Sequence, residues 1–283
     1  MASTTKCPPL GTAAAAFDKA SDIYERMTGG CTREVAKYIL TLDPKVDSSS
    51  IILDNACGTG IITEEILNHF SESRPRISAA DFAPSMVSNF TTKAKAKGWI
   101  TDGDVNHLTV SVQNAEELTY PDESFTHSYT NLGFPFFADG EKAAAQLYRT
   151  LRPNGTAFIS TWKTLGYLQP IHRAQLAVRL DSTPWEPLMP KEWLTKEKLV
   201  RVLVAGGFEP DRIEVHERTV GYRGKNLEAL LDIMKMSFLG QVTDGWNEEE
   251  KLIWVKELRE SLTEDEKMNA SVEMVAWVAV ATK

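Results

Sequence analysis

A glycine-rich segment at residues 53–60 is the part of this sequence best suited to bind a ligand. Glycine lets the backbone approach a ligand closely, and the start of the helix predicted after it offers unpaired amides to negative groups. Asp81 lies about 20 residues further on, where a carboxylate can accept hydrogen bonds from both hydroxyls of a ribose. The pattern predicts a ligand that contains a nucleoside. The simpler alternatives are a tight strand-to-helix turn at the glycines and a helix cap at Asp81.

Two other nucleotide-binding patterns do not fit this segment. A dinucleotide fingerprint requires glycine or alanine at position 63, where Thr63 stands. No Gly-Lys-Ser or Gly-Lys-Thr follows the glycines, so the segment is not a P-loop. Asp54 would also repel a pyrophosphate. The sequence therefore argues against a nicotinamide-dependent oxidoreductase.

Short apolar runs alternate with helical patterns around this segment, which is typical of a parallel sheet with crossover helices. The strands predicted here are residues 51–53, 77–80, 108–112, 126–129 and 156–162. A turn is expected at residues 152–155, before the last of them. Two further strands, residues 213–220 and 271–281, are predicted near the end of the chain. The fold class is therefore α/β.

The elements suggest one domain with four segments. Residues 1–45 are predicted to form a helical lid, in which Thr32 caps a helix that ends at Asp43 and Pro44. Residues 46–163 form the nucleoside-binding core, and residues 196–283 add the remaining helices and C-terminal strands. The insert at residues 164–195 carries Tyr167 and Trp185 and is predicted to shape a pocket.

Composition narrows the class of partner. The 283 residues include 42% hydrophobic side chains and carry a net charge of −8, which does not suit nucleic acid or an anionic membrane. Three cysteines are too few for a disulfide framework and favour a reducing, cytoplasmic setting. We see no signal peptide and no apolar run long enough to span a membrane. A small neutral or cationic molecule is the expected partner.

Four motifs, in order, resemble those of class I S-adenosylmethionine-dependent methyltransferases. Residues 53–60 resemble the first, glycine-rich motif, and Asp81 occupies the acidic position of the second. Asn114 and Ala115 stand at the adenine-contact position. Residues 151–155 resemble the L-R-P-G-G turn of the family, with Asn154 in place of a glycine.

Within that family, the sequence is similar to fungal secondary-metabolite methyltransferases of the ubiquinone/menaquinone-biosynthesis type, the gliotoxin thiomethyltransferase group among them. The segments that carry this similarity are residues 54–60, Gly98-Trp99, residues 160–162, Phe17 and residues 24–29. The resemblance implies a Rossmann-like fold, with a seven-stranded, mostly parallel sheet, an antiparallel C-terminal strand and an N-terminal lid.

The same resemblance implies S-adenosylmethionine as the cofactor. It assigns Tyr24 to a lid over the cofactor, Asp81 to the ribose, and Phe82 and Met86 to the walls around adenine. Met86 could equally well pack in the core beneath its helix. Tyr24 could equally well pack an N-terminal helix against the core. The full set of implied cofactor contacts is Tyr24, Asp54, Ala56, Gly58, Gly60, Asp81, Phe82, Met86, Asn114, Ala115, Asn131 and Leu132.

Aromatic residues after the fourth and fifth strands would face the acceptor molecule. Phe134, Phe137 and Trp162 are candidate substrate contacts, as is Phe136, with packing in the core as the alternative. His172 and His127 are candidate proton acceptors. No catalytic residue is assigned.

The expected reaction is methyl transfer to S, O or N of a small metabolite, and the closest resemblance suggests a thiol. The region of residues 130–134 offers one amide, Asn131, as a metal ligand, so no metal site is predicted. A regulatory protein that binds the cofactor without turnover is the alternative function. The oligomeric state is left open.

Overall fold

The computed structural model describes residues 23–70, 73–101 and 107–283. Residues 1–22 of the predicted lid, with Phe17, lie outside this range. Seven strands form one sheet in the order β3-β2-β1-β4-β5-β7-β6. Their bounds are Ile51–Asn55 (β1), Arg76–Asp81 (β2), Leu108–Val112 (β3), Phe125–Asn131 (β4), Leu151–Leu165 (β5), Ile213–Arg223 (β6) and Ser271–Thr282 (β7).

The direction of the strands creates a site for a ligand. β1 to β5 pair in parallel, whereas β7 is antiparallel to β5 and to β6. The prediction of a mostly parallel sheet with an antiparallel C-terminal strand is therefore confirmed. From β1 the chain moves outward to β2 and β3 and then returns to β4 on the other side of β1. In such sheets ligands bind at the carboxyl ends of the strands where this reversal occurs.

Helices cover the sheet. Their bounds are Tyr24–Met27 (α1), Cys31–Ile39 (α2), Ile61–Leu67 (α3), Pro84–Ala96 (α4), Gly140–Thr150 (α5), Leu168–Val178 (α6), Lys196–Ala205 (α7), Leu227–Val242 (α8), Glu248–Ser261 (α9) and Glu264–Asn269 (α10). The side chains of Asp139, Asn226 and Asn247 cap α5, α8 and α9 by accepting a hydrogen bond from the backbone amide three residues on. No helix in the described ranges is long and apolar enough to cross a membrane.

Three local features differ from the sequence-based predictions. α2 begins at Cys31, so Thr32 lies inside the helix, and the predicted cap at Thr32 is wrong. Gly29 and Gly30, with φ of 55° and 77°, turn the chain into the helix instead. β5 already begins at Leu151 and contains an irregularity, with Asn154 at φ 63°, where a separate turn was expected. The short helix α10 was missed although Thr263 and Glu266 form a capping box.

The packing of α7 on α5 gives a test of this fold. Gly206 follows α7, and an added Cβ would lie 2.4 Å from the Cβ of Ala144 on α5. Its φ of −76° suits alanine. We therefore expect Gly206→Ala to lower the free energy of unfolding in urea by about 2 kcal/mol, because the two helices must separate.

Gly240→Ala is the matched control. An added Cβ at Gly240, on α8, meets no atom within 4 Å. Alanine should raise the free energy of unfolding there by up to about 1 kcal/mol through helix propensity. Equal effects of the two substitutions would contradict the described contact between α5 and α7.

Candidate active site

A hydrogen bond joins the ends of β1 and β2 at the carboxyl edge of the sheet. The Asp81 carboxylate accepts from the amide of Gly58 (2.8 Å) with Oδ2 and from the amide of Ala83 (2.9 Å) with Oδ1. A carboxylate can accept about four hydrogen bonds in all. Asp81 is thus oriented at the wall of a cavity and also starts the segment that leads into α4.

The glycines of the loop after β1 have different roles. Gly58 has a φ of 53° and lines the cavity, and an added Cβ there would meet no atom within 4 Å, so the space beside it is open to a ligand. Gly60 has a φ of 80°, and an added Cβ would lie 2.3 Å from the ring of Phe90. Gly58 therefore leaves open space beside the backbone, whereas Gly60 allows α3 to pack closely against α4.

Asp54 is nearly completely buried at the end of β1. Its Oδ2 accepts hydrogen bonds from the amide (3.2 Å) and the hydroxyl (2.6 Å) of Thr63. Burial raises the pKa of Asp54 to about 7, and the neighbouring charge of Asp81 adds to the shift. Thr63, the residue that breaks the dinucleotide fingerprint, therefore has a structural role, since it holds Asp54 against the first turn of α3.

The cofactor cavity is the space above the ends of β1, β2 and β4. It is lined by these predicted contacts: Tyr24, Ala56, Gly58, Asp81, Phe82 and Met86, with Asn131 and Leu132 beside them. Asn114 and Ala115 line an adjoining small cavity that also contains Asp81 and Phe82. Asp54 lines another, with Gly58 and Asn131. Of the implied cofactor contacts, Gly60 is the one that lines none of these cavities.

Asn131 connects the sheet to the lid. Its Nδ2 donates to the carbonyl oxygen of Thr32 (3.1 Å) on α2, and its Oδ1 accepts from the hydroxyl of Ser160 (2.7 Å) on β5. Leu132 follows with a φ of 61°, and its amide is held by Ser160. These bonds fix the backbone between the cofactor cavity and the space beyond it.

That space is a second cavity of about 270 Å³, here called the substrate cavity. Its walls come from α1, α2, the end of β5, the insert, β6 and α8. Three residues, Tyr24, Leu132 and Phe136, line both this cavity and the cofactor cavity. The two cavities therefore meet at these residues.

The phenylalanines after β4 divide between the core and the cavities. Residues 134–136 form a 3₁₀ turn, in which side chains three residues apart lie on the same side. Phe134 and Phe137 accordingly contact each other (5.1 Å between ring centroids), and Phe134 also packs on Trp193 and is fully buried. Phe137 lines the cofactor cavity and Phe136 lines both. Phe134 thus packs in the core and lines neither of these two cavities.

Neither histidine candidate lines the substrate cavity. His172 Nε2 donates to the carbonyl oxygen of Trp185 (2.6 Å), so this side chain holds the insert in place. His127 is buried near the start of β4, opposite Ile52, with Nδ1 against the hydroxyl of Thr126 (2.8 Å). Burial lowers its pKa. Neither ring is therefore placed beside the described wall of this cavity, and the geometry supports a role for neither as a proton acceptor.

Trp162 lines the substrate cavity, as do several residues that sequence reasoning did not select. These are Tyr222 on β6 and Ser237, Phe238 and Gln241 on α8. Tyr167 and Trp185 of the insert also line it, as expected of a pocket-shaping segment. Nothing in the sequence indicated that α8 reaches the same cavity as β5.

No Asp, Glu, Lys, Arg or His is among the described residues that line the substrate cavity. The weak acids that line it are kept neutral: burial raises the pKa of Tyr24, Tyr167 and Tyr222, and raises that of Cys31 to about 12. At neutral pH, the described wall of this cavity is therefore uncharged and offers no general base.

Charged residues lie instead on the outer side of α1. Glu25 pairs with Arg33 (2.6 Å), and Arg33 also pairs with Glu64 (2.8 Å) on α3. Lys93 on α4 joins the same group, 3.1 Å from Glu64. This network holds α1, and with it Tyr24, against the body of the domain.

Comparisons with known proteins identify the family of the core that carries this site. Residues 53–159 match the family model described as a methyltransferase domain. Residues 53–159 form a class I S-adenosylmethionine-dependent methyltransferase domain. The chain is 34% identical to methyltransferase tpcH of Aspergillus fumigatus over 120 residues, which cover 41% of this chain and 40% of that relative. This match therefore spans less than half the length of tpcH.

A longer alignment relates the chain to the acetylaranotin bis-thiomethyltransferase of Aspergillus terreus, at 24% identity over 82% of each chain. Among solved structures, the [4+2]-cyclase SpnF gives a TM-score of 0.60 at 14% identity, covering 97% of this chain and 96% of that chain. A Haemonchus contortus phosphoethanolamine N-methyltransferase in complex with S-adenosylhomocysteine gives a TM-score of 0.56 at 16% identity. The match covers 94% of this chain and 57% of that chain. These structural matches show the fold alone.

The cofactor of this methyltransferase domain is S-adenosylmethionine, and the cofactor cavity suits its parts. The open space beside Gly58 would allow close approach of a sugar, and the Asp81 carboxylate would offer acceptors to its hydroxyls. Phe82 and Met86 provide apolar walls for a base. The roles of the individual residues remain predictions.

Asp81→Ala is expected to weaken the binding of S-adenosylhomocysteine about 10- to 100-fold, measured by calorimetry. The substitution removes a charged hydrogen-bond acceptor, a loss of about 1.5 to 3 kcal/mol, and also releases the amide of Gly58. Gly240→Ala serves as the control, because Gly240 lies on α8 and does not line the cofactor cavity. An unchanged dissociation constant for Asp81→Ala would remove the ribose assignment.

The raised pKa of Asp54 predicts that the stability of the protein without ligand depends on pH. Its pKa is about 7 in the folded state and about 3.9 in an unfolded chain, so the folded state binds more protons between these values. Its contribution is therefore fully present below about pH 4 and is lost as the pH rises through 7. We expect Asp54→Asn to raise the melting temperature at pH 8 but hardly at pH 4. The opposite order would show that Asp54 is ionised in the unliganded fold.

Proposed function

We propose that this protein transfers the methyl group of S-adenosylmethionine to a sulfur, or to an uncharged nitrogen, of a small aromatic or apolar metabolite. The observation that carries this proposal is the uncharged wall of the substrate cavity, which adjoins the cofactor cavity at Tyr24, Leu132 and Phe136. Similarity of fold alone does not support this activity, because the [4+2]-cyclase SpnF has the same fold.

The nature of the wall favours acceptors that need no protein base. At pH 7 a thiol with a pKa of about 8.5 is already a few per cent thiolate, whereas a phenol with a pKa of about 10 is about 0.1% ionised. An amine attacks through its neutral lone pair. An alcohol or phenol would need a base, and none of the described wall residues is charged or titrates near neutrality.

The bound cofactor supplies an electrophilic methyl group on a sulfonium. Held in the cofactor cavity beside Gly58 and Asp81, the cofactor would give this methyl group to the acceptor sulfur, and the electron pair of the broken carbon–sulfur bond would stay on the departing sulfur. The acceptor proton is lost to water when the thiolate forms. The contribution of the chain is to exclude water and to align the two ligands at Tyr24, Leu132 and Phe136.

The cavity also limits the charge and size of the acceptor. With no Lys, Arg or His among its described lining residues, it offers nothing to balance a carboxylate or phosphate. Its volume of about 270 Å³ suits a small metabolite. Aromatic rings such as those of Trp162 and Phe136 bind a planar apolar group and attract the positive charge near the methyl. The name of the bis-thiomethyltransferase relative also supports sulfur as the acceptor.

A panel of single-ring acceptors tests this proposal. Thiophenol, aniline and phenol share one ring and differ in the attacking atom, and release of S-adenosylhomocysteine reports transfer. We expect turnover in the order thiophenol, aniline, phenol, with phenol at least about tenfold slower than thiophenol at pH 7, as the thiolate and phenolate fractions require. Adding a carboxylate, as in 4-mercaptobenzoate, should reduce turnover.

Two controls separate the outcomes. Phe136→Leu alters the wall between the cavities and should slow transfer to thiophenol, whereas Tyr148→Phe, on the α5 side of the sheet near Phe208, should leave it unchanged. Phenol turnover as fast as that of thiophenol would contradict the assignment of the acceptor. Cofactor binding with no turnover of any acceptor would instead favour the regulatory alternative.

A further inference from the structure

Three polar groups form a hydrogen-bonded chain at one wall of the substrate cavity. The hydroxyl of Ser237 on α8 donates to the carbonyl oxygen of Met27 (3.0 Å) at the end of α1. The hydroxyl of Tyr222 on β6 lies 3.2 Å from the Ser237 oxygen. All three residues line the cavity. Most of the other lining side chains are aromatic, aliphatic or sulfur-containing, so this chain is a distinct polar feature.

The direction of the hydrogen bonds follows from the number of protons. A carbonyl oxygen can only accept, and Met27, as the last residue of α1, has no partner for it within the helix. Ser237 has one hydroxyl proton, and Met27 receives it. The remaining contact must then be a donation from Tyr222 to Ser237. The Tyr222 proton is therefore committed, so toward a ligand in this cavity the Tyr222 oxygen could act only as an acceptor.

The surroundings of Tyr222 indicate what could bind there. Its ring is 5.8 Å from that of Tyr167 and 6.4 Å from that of Phe238, and Trp185 lies 5.6 Å from Phe238. Burial raises the pKa of Tyr222, so the hydroxyl stays protonated and the chain keeps this direction. A flat ring that carries one hydrogen-bond donor would match the aromatic faces and the acceptor together.

We infer that Tyr222 and Ser237 form a recognition subsite for an N–H or O–H donor on the ring of the acceptor molecule. This inference rests on the proposed function, since it assigns a role within the same cavity. The donor recognised here is separate from the atom that is methylated, which must lie at the junction near Tyr24 and Leu132. Because the last acceptor of this hydrogen-bonded chain is the Met27 carbonyl oxygen, the subsite is also bonded to α1, which carries Tyr24.

Binding of two isosteric rings tests the subsite without any turnover. Indole carries an N–H donor, and benzofuran has an oxygen at the same place. Their dissociation constants are measured by calorimetry on the full protein saturated with S-adenosylhomocysteine. We expect indole to bind about fivefold more tightly than benzofuran, the size of one neutral hydrogen bond. Tyr222→Phe should reduce this ratio to about one.

Ser237→Ala is the second variant. It frees the Tyr222 proton, so Tyr222 can donate to benzofuran, and the ratio should again fall towards one while the Tyr222 ring stays in place. Tyr167→Phe is the matched control: Tyr167 lines the same cavity but is outside the chain, and its loss of a hydroxyl should leave the ratio near five. Melting temperatures establish that each variant is folded.

Several results would overturn the subsite. These are no binding of indole at millimolar concentration, equal binding of the two rings to the unaltered protein, or a ratio that depends on Tyr167 and not on Tyr222. The proposed function fails differently, through absence of S-adenosylhomocysteine release from thiol or amine acceptors. Tighter binding of indole without methyl transfer would support the subsite and contradict the proposed activity. Methyl transfer without a preference for indole would support the activity and contradict the subsite.

Discussion

The hydrogen bond from the Gly58 amide to the Asp81 carboxylate is the constraint on which the site depends. It ties the loop after β1 to the end of β2, so the ends of two neighbouring parallel strands have one fixed spacing. The loop can then leave open space beside Gly58, while Gly60 allows Phe90 to pack closely. A flexible loop would have to be ordered by the ligand at an entropic cost; this one is ordered by the fold.

Charge is distributed unevenly around the lid helix α1. Its outer side is held by Glu25, Arg33 and Lys93, where partial exposure to water makes ion pairs inexpensive but individually weak. Its inner side faces the substrate cavity through Tyr24 and Met27, and burial keeps the acids there neutral. An uncharged wall avoids the large cost of a buried unpaired charge. Because such a wall supplies no base, the reactivity of the acceptor depends on the pKa of the acceptor itself.

The sequence predicted those parts of the site that are local in the chain. The glycine-rich loop and Asp81 were recognised from residues 53–81, and the alternation of strands and helices predicted a parallel sheet, which the structure confirms for β1 to β5. Contacts decided by tertiary packing escaped prediction: a 3₁₀ turn sends Phe134 into the core and leaves Phe136 facing both cavities, and His172 bonds to Trp185. Tyr222 and Ser237 are far from the motifs in sequence, so no local pattern could place them at the cavity.

The hydrogen-bonded chain from Tyr222 through Ser237 to Met27 connects two functions that the sequence keeps apart. One end meets the substrate cavity, and the other satisfies the last carbonyl of α1, whose first residue, Tyr24, lines both cavities. A ligand that strengthens the bond at Tyr222 also polarises the bonds behind it. It therefore favours the position of α1 described here. These neutral hydrogen bonds therefore join the wall of the substrate cavity to the helix that carries Tyr24.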